Sequence, residues 1–559
     1  MAGNQTRRLS DPEAQWTAAD SLPDGTGDAV GDNIRHAAGD NIRVGVGDNS
    51  RVVVDDAGRE NNSNLEDTEH RALVSAAVLS DELDYASTAT SENDARFIEY
   101  DPIELDKDLE TRYIPKLSVR SWALWDWSVQ PFSTIIITFV FVPLYLANNA
   151  FLDPRYLALP VNDPIRIHAL DDLAASIGGW VTIAGIVSAL LVPILGRQVQ
   201  LSGYRKIRLA IANILLILTM LALFFLRPDY LSFTRGAALI ALGLVLDTVA
   251  NVSYNALLPS VSTPGNVGRV SRLGWGAGYL SGMLGLFIIL ILETTDWFGH
   301  LPELGLGRFR YIALACALWA LLFGWPLYRF VPEPPSDQLS SADVKRLGLA
   351  QSYTSMFSTL VDAFNNSPNT FWFLVASAIY RDGLAGILTF GAILAVITFG
   401  FSAQMVLTFG VIAYFVVGIT TLLFARSSGA WATRRIIIIA LAVLLASGLL
   451  ALMLHSLGTA VFWIFGLVLC VVLGLVQAAS RTYLERLAPA DHASEIFGLY
   501  AITGKAASFL SAALWTVFIA AFGATVWGLI GILLVIAVGL GVLVFLVHDG
   551  SDRGAVPAR

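Results

Sequence analysis

Hydrophobic residues dominate the chain from about residue 120 onward, where they fall into twelve separate windows. A helix needs roughly 20 mainly apolar residues to cross about 30 Å of hydrocarbon. Each window meets that length, and polar loops separate them, so the pattern predicts twelve membrane-spanning helices. The predicted spans cover residues 120–147, 173–195, 207–226, 237–258, 273–292, 309–331, 369–398, 403–424, 436–455, 458–482, 496–521 and 524–547.

The windows divide the chain into five regions. Residues 1–117 have too little apolar mass to order themselves, so we expect a disordered cytoplasmic tail. Residues 118–331 and 369–548 hold six windows each and are predicted to form two six-helix bundles. A cytoplasmic linker over residues 332–368 joins them, and a short tail follows over residues 549–559. The predicted fold class is therefore an all-α polytopic membrane protein.

The N-terminal tail contains an eight-residue repeat. The frame Gly-Asp-Asn-x-Arg begins at Gly31, Gly39 and Gly47, in GDNIRHAA, GDNIRVGV and GDNSRVVV. Longer arrays of such repeats stack as short strands, but three copies are too few to bury a core. We expect either a spacer or a segment that binds a partner.

Composition agrees with a membrane protein and argues against several other classes. The 559 residues are 55% hydrophobic and 14% charged, with a formal net charge of -9 and a mean hydropathy of +0.61. The acidic balance gives no sign of nucleic-acid binding. Cys316 and Cys470 lie alone in apolar runs, so we expect no disulfide framework, no metal site and no cofactor. Hydrolase, metalloprotease and phosphate-loop motifs fail on inspection, so we predict no enzymatic activity.

Basic residues are distributed unevenly among the predicted loops. If the N-terminus is cytoplasmic, the inner loops hold most of the loop Lys and Arg residues, and the last three outer loops are nearly uncharged. Cytoplasmic loops of membrane proteins carry an excess of Lys and Arg. The distribution therefore favours a cytoplasmic location for both termini.

The two predicted bundles share a weak internal repeat. A shift of 230 positions superposes Asp247–Gly282 on Gln477–Ala512 without a gap. Spans 2 to 5 would then correspond to spans 8 to 11 and run in the same direction. Two parallel six-helix halves are the plan of the major facilitator superfamily, which holds its substrate near the bilayer midplane between the halves.

Polar residues concentrate on spans 1, 4, 7 and 10, which line the central cavity in a transporter of this plan. A charged group inside a span costs at least about 2.5 kcal/mol unless it faces protein or water. On span 4 the polar positions recur at i, i+4, i+7 and i+8, which is one helical face. We therefore predict a cavity for a small polar solute. The candidate cavity residues are Trp122, Trp125, Asp126, Gln130, Asp247, Asn251, Tyr254, Asn255, Tyr380, Arg381, Asp382, Gln477 and Arg481.

Individual roles follow from charge and depth. Asp247 is the best candidate proton carrier because it lies about ten residues into its span, where loss of water penalises the charged form. Arg381 and Arg481 are candidates for binding a substrate carboxylate or phosphate. Alternatively, these groups only hold the helices together, for example by pairing Asp382 with Arg481. Charged residues at the inner edge are candidates for a gate: Arg205, Lys206, Arg269, Arg272, Glu485 and Arg486.

Three stretches resemble signature sequences of the vacuolar-effluxer-like branch of the major facilitator superfamily. They are WALWDW with PFSTIIITF, YNALLPSV with GRVSRLGWGAGYLSG, and QAASRTYLERLAP with GLYAITGKAASFL, and the resemblance covers residues 118–548. This branch includes vacuolar amino-acid effluxers of fungi and bacterial relatives. The resemblance implies a monomeric secondary transporter that works by alternating access and exports amino acids or similar metabolites, with protons as the coupling ion. It implies the cell membrane, or the vacuolar membrane in a fungus.

A second class of function stays open. The protein could be a non-transporting membrane scaffold or sensor whose N-terminal tail binds partners. Gln200 favours this alternative, because it stands where the superfamily usually has an acidic residue between spans 2 and 3. The polar residues on four cavity helices favour transport instead. In either case we expect the lipid bilayer as a partner and no nucleic acid.

Overall fold

Twelve helices long and apolar enough to cross a membrane occur in the described part of the chain, so the predicted number is confirmed. The computed structural model describes residues 16–17, 42–47, 51–56, 114–201, 204–263, 266–297, 302–333, 349–427, 433–487, 499–500 and 503–548. The helices are numbered as spans 1 to 12 and run over Lys116–Leu146, Pro164–Leu201, Arg205–Phe224, Tyr230–Asn255, Val267–Thr294, Arg308–Phe330, Pro368–Ile397, Ala403–Ser427, Thr433–Met453, Thr459–Leu487, Thr503–Phe522 and Thr525–Phe545.

Short helical pieces connect the spans. The connection from span 1 to span 2 contains a 3-10 turn and a four-residue helix, and another four-residue helix follows span 4. A longer helix, the linker helix, precedes span 7 and contacts both span 2 and span 7. These pieces cover Asn149–Phe151, Pro154–Leu157, Leu258–Val261, Pro302–Gly307, Leu349–Asn366 and His455–Leu457.

Span 1 changes helix type halfway across. It is an α-helix over Lys116–Pro131 and continues as wider π-helical turns over Phe132–Phe139 and Phe141–Leu146. The break follows Pro131, as expected for a residue that has no amide hydrogen to donate within the helix. Wide turns of this kind are rare and occur mostly at functional sites.

The two halves meet along defined pairs of spans. Span 2 packs against span 11, and span 5 packs against span 8. The π-helical part of span 1 contacts span 7, whereas its α-helical part packs against spans 5 and 6 of its own half. We call the side where span 1 begins the N-terminal face and the side where it ends the opposite face. Contact between spans 1 and 7 therefore lies toward the opposite face.

A set of hydrogen bonds joins the halves at the opposite face. Asp171, buried on span 2, accepts hydrogen bonds from the backbone amide of Thr525, at 2.8 Å, and from its hydroxyl group. Trp515 Nε1 donates to the carbonyl oxygen of Ala174 at 3.3 Å. Thr525 is the first residue of span 12, so Asp171 satisfies an amide that the helix itself leaves without a partner. We call these contacts the span 2 latch.

Two of the three tail repeats form a small antiparallel sheet. Strands β1, β2 and β3 cover Trp16–Thr17, Ile42–Gly47 and Arg51–Asp56, in the order β1-β3-β2. In the hairpin Val44 pairs with Val54 and Gly47 pairs with Arg51. The β-branched runs after each Arg suit the extended backbone of these strands. The first repeat, from Gly31, lies outside the described residues.

Candidate functional site

An aromatic stack joins spans 1 and 4. The ring of Tyr254 lies between the indoles of Trp122 and Trp125, with ring centroids 4.4 and 4.2 Å apart. Trp122 Nε1 also donates to the carbonyl oxygen of Tyr254 at 3.4 Å. The two tryptophans are three residues apart and share a helical face, which lets them hold one ring from both sides. All three side chains are buried.

Asp126 follows the stack on span 1 and lies directly against span 5. A Cβ atom added to Gly278 would be 3.1 Å from the carboxyl carbon of Asp126, so the glycine makes room for the carboxyl group. In the part of the chain that the structure describes, Asp126 has no hydrogen-bond or ion-pair partner. A half-buried carboxyl group in this state is available to a proton or to a bound cation.

Asp247 is the second carboxyl group of the site. Its Oδ1 atom accepts a hydrogen bond from Asn251 Nδ2 at 3.0 Å, one helical turn later on span 4. Asp247 and Asp126 lie close enough to interact electrostatically. The predicted polar face of span 4 therefore meets the predicted polar residue of span 1.

Amide groups continue along span 4 from Asp247. Asn251 Nδ2 donates to the carbonyl oxygen of Asp247 at 2.9 Å, and Asn255 Nδ2 donates to the carbonyl oxygen of Asn251 at 2.8 Å. Asn255 is exposed near the N-terminal face, whereas Asp247 and Asn251 are half-buried. The hydroxyl of Tyr254 is buried and has no partner among the described residues.

A hydrogen-bonded chain leads from span 1 into the second half. Gln130 Nε2 donates to Thr134 Oγ1 at 3.1 Å, and Thr134 Oγ1 lies 2.6 Å from the hydroxyl of Tyr414 on span 8. Gly282 of span 5 lies beside all three side chains, where a Cβ atom would be 2.6 Å from Thr134 Oγ1. This series of hydrogen bonds brings the two halves into polar contact one to two helical turns from Asp126.

Two predicted cavity residues of span 7, Tyr380 and Asp382, form hydrogen bonds with spans 10 and 11 of the same half. Tyr380 donates from its hydroxyl to Ser480 Oγ at 2.7 Å, since Ser480 itself donates to a backbone carbonyl. Asp382 Oδ2 accepts a hydrogen bond from the backbone amide of Ser511 at 2.6 Å. Among the contacts of the described residues, Asp382 is held by span 11, whereas the alternative interpretation expected a pairing with Arg481.

The two predicted anion-binding arginines lie on aromatic rings. Arg381 has its guanidinium carbon 4.0 Å from the ring centroid of Tyr500 and donates to the carbonyl oxygen of Tyr500 at 3.0 Å. Arg481 has its guanidinium carbon 4.6 Å from the ring of Trp275 on span 5. Such cation–π contacts stabilise the guanidinium in place. Gln477, half-buried one turn before Arg481, completes this group.

The predicted gate residues fall into two sets. The backbone amides of Arg205 and Lys206 donate to the carboxylate of Glu333, and Lys206 Nζ donates to the carbonyl oxygen of Val331 at 2.8 Å. These contacts join spans 3 and 6 within one half. The side chain of Glu485 lies outside the described residues, and the remaining candidates are exposed side chains: Arg269, Arg272 and Arg486.

Three residues near the site were missed by the sequence analysis: Lys505, Tyr279 and Tyr414. Lys505 of span 11 acts electrostatically on Asp247 across the two halves. Tyr279 of span 5 stacks obliquely on Tyr414, with ring centroids 4.9 Å apart. The 230-residue shift aligns Lys505 with Trp275 in sequence. A charged residue aligned with an aromatic one was the signal that could have drawn attention to Lys505. In the described part of the chain, no group of three or more His, Cys, Asp or Glu residues could hold a metal ion.

Comparison with known proteins identifies the family. The family model described as vacuole effluxer Atg22 like matches residues 264–555, which is more than half of the chain. The chain belongs to the Atg22-like family. The match contains spans 5 to 12, so the aromatic ring of Trp275, both arginines, Asp382 and Lys505 lie inside it.

Relatives and solved structures extend this likeness to the first half. The Atg22-like chain is 23% identical over 448 residues to the uncharacterized MFS-type transporter YxiO of Bacillus subtilis (strain 168), covering 77% of this chain and 95% of that protein. It is also similar to a D-xylose-proton symporter, with a TM-score of 0.57, 13% identity, and coverage of 77% and 98%. The inward-open xylose transporter XylE of E. coli gives a TM-score of 0.53, 13% identity, and coverage of 78% and 97%.

These findings show a transporter with the major facilitator fold. The expected family, the expected fold class and the expected transport function are confirmed.

Proposed function

We propose that this protein is a proton-linked secondary transporter whose solute binds beside Asp126 and whose coupling proton binds to Asp247. The observation that carries the proposal is the neighbouring pair of carboxyl groups at the aromatic stack. Asp247 has a hydrogen-bond donor in Asn251, whereas Asp126 has no partner among the described residues. We assign the proton to Asp247 because Lys505 of the second half acts on it, so its affinity for a proton can change as the halves move, and we assign the solute to Asp126 because its carboxyl group is available to a partner.

Electrostatics supplies the coupling. Two ionised carboxylates repel each other, and the repulsion grows as water is removed from around them. A proton on one of them, or a positive group of the solute between them, relieves that repulsion. Lys505 adds a positive charge from the second half. Its influence on Asp247 depends on how the halves are placed, so a movement of the halves changes the free energy of proton binding.

Contacts between the halves support alternating access. The span 2 latch closes the opposite face, while Trp275 is 46% exposed even though it touches Arg481 across the halves. An exposed contact between the halves indicates a cleft that water enters from the N-terminal face. We propose that this structure is the state open to the N-terminal face and that release of the latch opens the other side.

The direction and location of transport follow from the loop charges and the family. The excess of Lys and Arg in the loops of the N-terminal face supports a cytoplasmic location for that face. We propose export from the cytoplasm, with amino acids or similar metabolites as solutes, in agreement with a family described as vacuole effluxers. The protein acts as a monomer in the cell membrane, or in the vacuolar membrane of a fungal cell.

Reconstitution tests this proposal. Uptake and efflux of a broad panel of amino acids, sugars and amines are measured in proteoliposomes with and without a pH gradient. Wild type is compared with Asp247→Asn and with Asp172→Asn, a matched control that removes an exposed acid near the opposite face. We expect gradient-driven accumulation in wild type and Asp172→Asn and none in Asp247→Asn. Accumulation by Asp247→Asn at the wild-type level would remove the proposed proton site.

A further inference from the structure

The linker helix has an amphipathic sequence. In LAQSYTSMFSTLVDAFNN the bulky apolar residues recur at intervals of three and four from Leu349 to Phe364, which is the period of a helix with one apolar side. Most of the positions between them hold serine, threonine, asparagine or glutamine, and Asp362 is the only charged residue of the segment. A helix of this kind is stable where an apolar environment meets water.

Protein covers only part of the apolar side of the linker helix. Leu360 is half-buried and packs against the hydrophobic core, where the helix contacts span 2 and span 7. Val361 and Phe364 are 46% and 47% exposed, although both are large apolar residues. Ser358 and Asp362 are also exposed. The described side chains therefore form three sides: one against protein, one apolar and exposed, and one polar and exposed.

The exposed apolar side lies beside the beginning of span 7. The ring of Phe364 meets those of Phe371 and Trp372 edge-on, with centroids 5.2 and 6.4 Å apart. Span 7 has 30 residues, more than the roughly 20 that cross the hydrocarbon core, so its ends lie in the interfacial regions. Aromatic residues concentrate at that depth in membrane proteins. The end of the linker helix consequently lies at the boundary between acyl chains and water.

Lipid is the partner that fits this surface. Span 2, which the linker helix contacts, carries exposed aliphatic side chains at i, i+3, i+4 and i+7, and the bilayer covers such a row on a membrane span: Ile183, Ile186, Val187 and Leu190. Val361 and Phe364 extend the apolar surface of the protein beyond the spans. A stable interface with a second protein buries roughly 800 Å² on each partner, far more than two half-exposed side chains provide.

We propose that the linker helix is an interfacial helix that binds the phospholipid bilayer at the N-terminal face, with Val361 and Phe364 among the acyl chains and Ser358 and Asp362 in water. Because the helix holds one charged residue, its contact with lipid depends on apolar area and not on the charge of the headgroups. The helix contacts one span of each half, so the lipid-binding surface lies beside a junction between the halves. This surface is separate from the cleft, and the proposal holds for any transported solute.

Spin-label accessibility tests the orientation of the linker helix. Cys316→Ala and Cys470→Ala first remove the two native cysteines from the full chain. A single cysteine, labelled with a nitroxide, is then placed at each of two apolar and two polar positions: Val361→Cys, Phe364→Cys, Ser358→Cys and Asp362→Cys. Each variant is reconstituted in vesicles of palmitoyl-oleoyl-phosphatidylcholine. Collision of the label with O₂, which concentrates in the acyl chains, is compared with collision with nickel ethylenediaminediacetate, which stays in water.

The two polar positions are the matched controls, because they are exposed on the same turns of the same helix. Side chains of an interfacial helix reach about 5–10 Å into the acyl boundary, so the ratio of O₂ to nickel collisions should be roughly fivefold higher at the two apolar positions than at the controls. Phe364→Cys also removes the ring contacts with span 7. If that variant does not fold, as judged by size-exclusion chromatography, Val361→Cys decides the test.

Three results would overturn the proposal. Equal, water-like ratios at all four positions would place the whole helix in water. Little collision with either reagent at Val361→Cys would mean that protein, from a second copy or from the N-terminal tail, covers the apolar side. High O₂ ratios at the controls would mean that no side of the helix faces water. Each result is independent of solute transport, so the proposed function stands or falls separately.

Discussion

Gly278 of span 5 lies directly against the carboxyl group of Asp126 on span 1. A Cβ atom at Gly278 would be 3.1 Å from the carboxyl carbon and 3.2 and 3.3 Å from the two oxygens. The same spans meet one turn earlier, where a Cβ on Gly274 would be 2.7 Å from the ring of Trp122. Small residues on span 5 therefore set the position of the candidate site residues on span 1.

Gly278→Ala should move the Asp126 carboxyl group by a few tenths of an ångström and weaken solute binding. We expect roughly a tenfold rise in KM, which corresponds to about 1.4 kcal/mol. Transport kinetics in proteoliposomes measure the effect. Gly276→Ala is the control, because a Cβ atom there meets nothing within 4 Å, and it should transport like wild type. Equal kinetics for the two variants would show that the contact with Asp126 has no bearing on binding.

Tyr254→Phe should leave the fold intact. The stacking on Trp122 and Trp125 uses the ring, and the buried hydroxyl has no partner among the described residues. Removing a buried polar group that lacks a partner avoids a cost of about 1–3 kcal/mol. We expect a melting temperature equal to or above that of wild type in detergent. A lower melting temperature would mean that the hydroxyl makes a stabilising contact in the folded protein.

Asp382→Ala should lower stability because it removes the acceptor for the amide of Ser511. Loss of a buried hydrogen bond to a charged group costs about 1.5–3 kcal/mol. The melting temperature of the purified variant measures this loss. Asp126→Asn is the comparison, since it removes no hydrogen bond seen in the described residues, and it should melt like wild type. If Asp126→Asn melted at a lower temperature than wild type and Asp382→Ala did not, Asp126 would be the acid that stabilises the fold and Asp382 would not.

Asp171→Ala should release the span 2 latch and open the opposite face more often. Its carboxylate accepts two hydrogen bonds from Thr525, and Asp172, the next residue, is exposed and serves as the control. A cysteine placed at Ala524, in a variant that lacks Cys316 and Cys470, reports the exposure of that face to a membrane-impermeant maleimide. We expect faster labelling in Asp171→Ala than in Asp172→Ala. Equal labelling rates would show that the latch does not hold the face closed.

The sequence predicts the fold well because periodic apolar windows and helix length determine membrane spans directly. The twelve windows correspond to the twelve helices, although the structure extends span 2 back to Pro164, where polar residues such as Asp171 lower the local hydropathy. The tail strands were missed because three short repeats gave no apolar core on which to base them. Their pairing depends on contacts between segments, which hydropathy along the chain does not record.

The candidate site was predictable only along single helices. The i, i+4 relation on span 4 correctly places Asn251 beside Asp247, because helix geometry alone fixes it. The insertion of Tyr254 between two tryptophans depends on the distance between spans 1 and 4, so no periodicity indicates it. For the same reason, no pattern along the chain indicates that Arg381 and Arg481, the predicted anion-binding residues, lie on aromatic rings.

The most direct test of the coupling proposal compares two kinds of transport in one variant. Counterflow exchanges labelled for unlabelled solute and needs no net proton movement, whereas accumulation against a gradient requires proton coupling. If Asp247 carries the proton and Asp126 binds the solute, Asp247→Asn should retain counterflow at close to the wild-type rate and lose gradient-driven accumulation. An Asp247→Asn protein that still accumulates solute in response to a pH gradient would contradict the account.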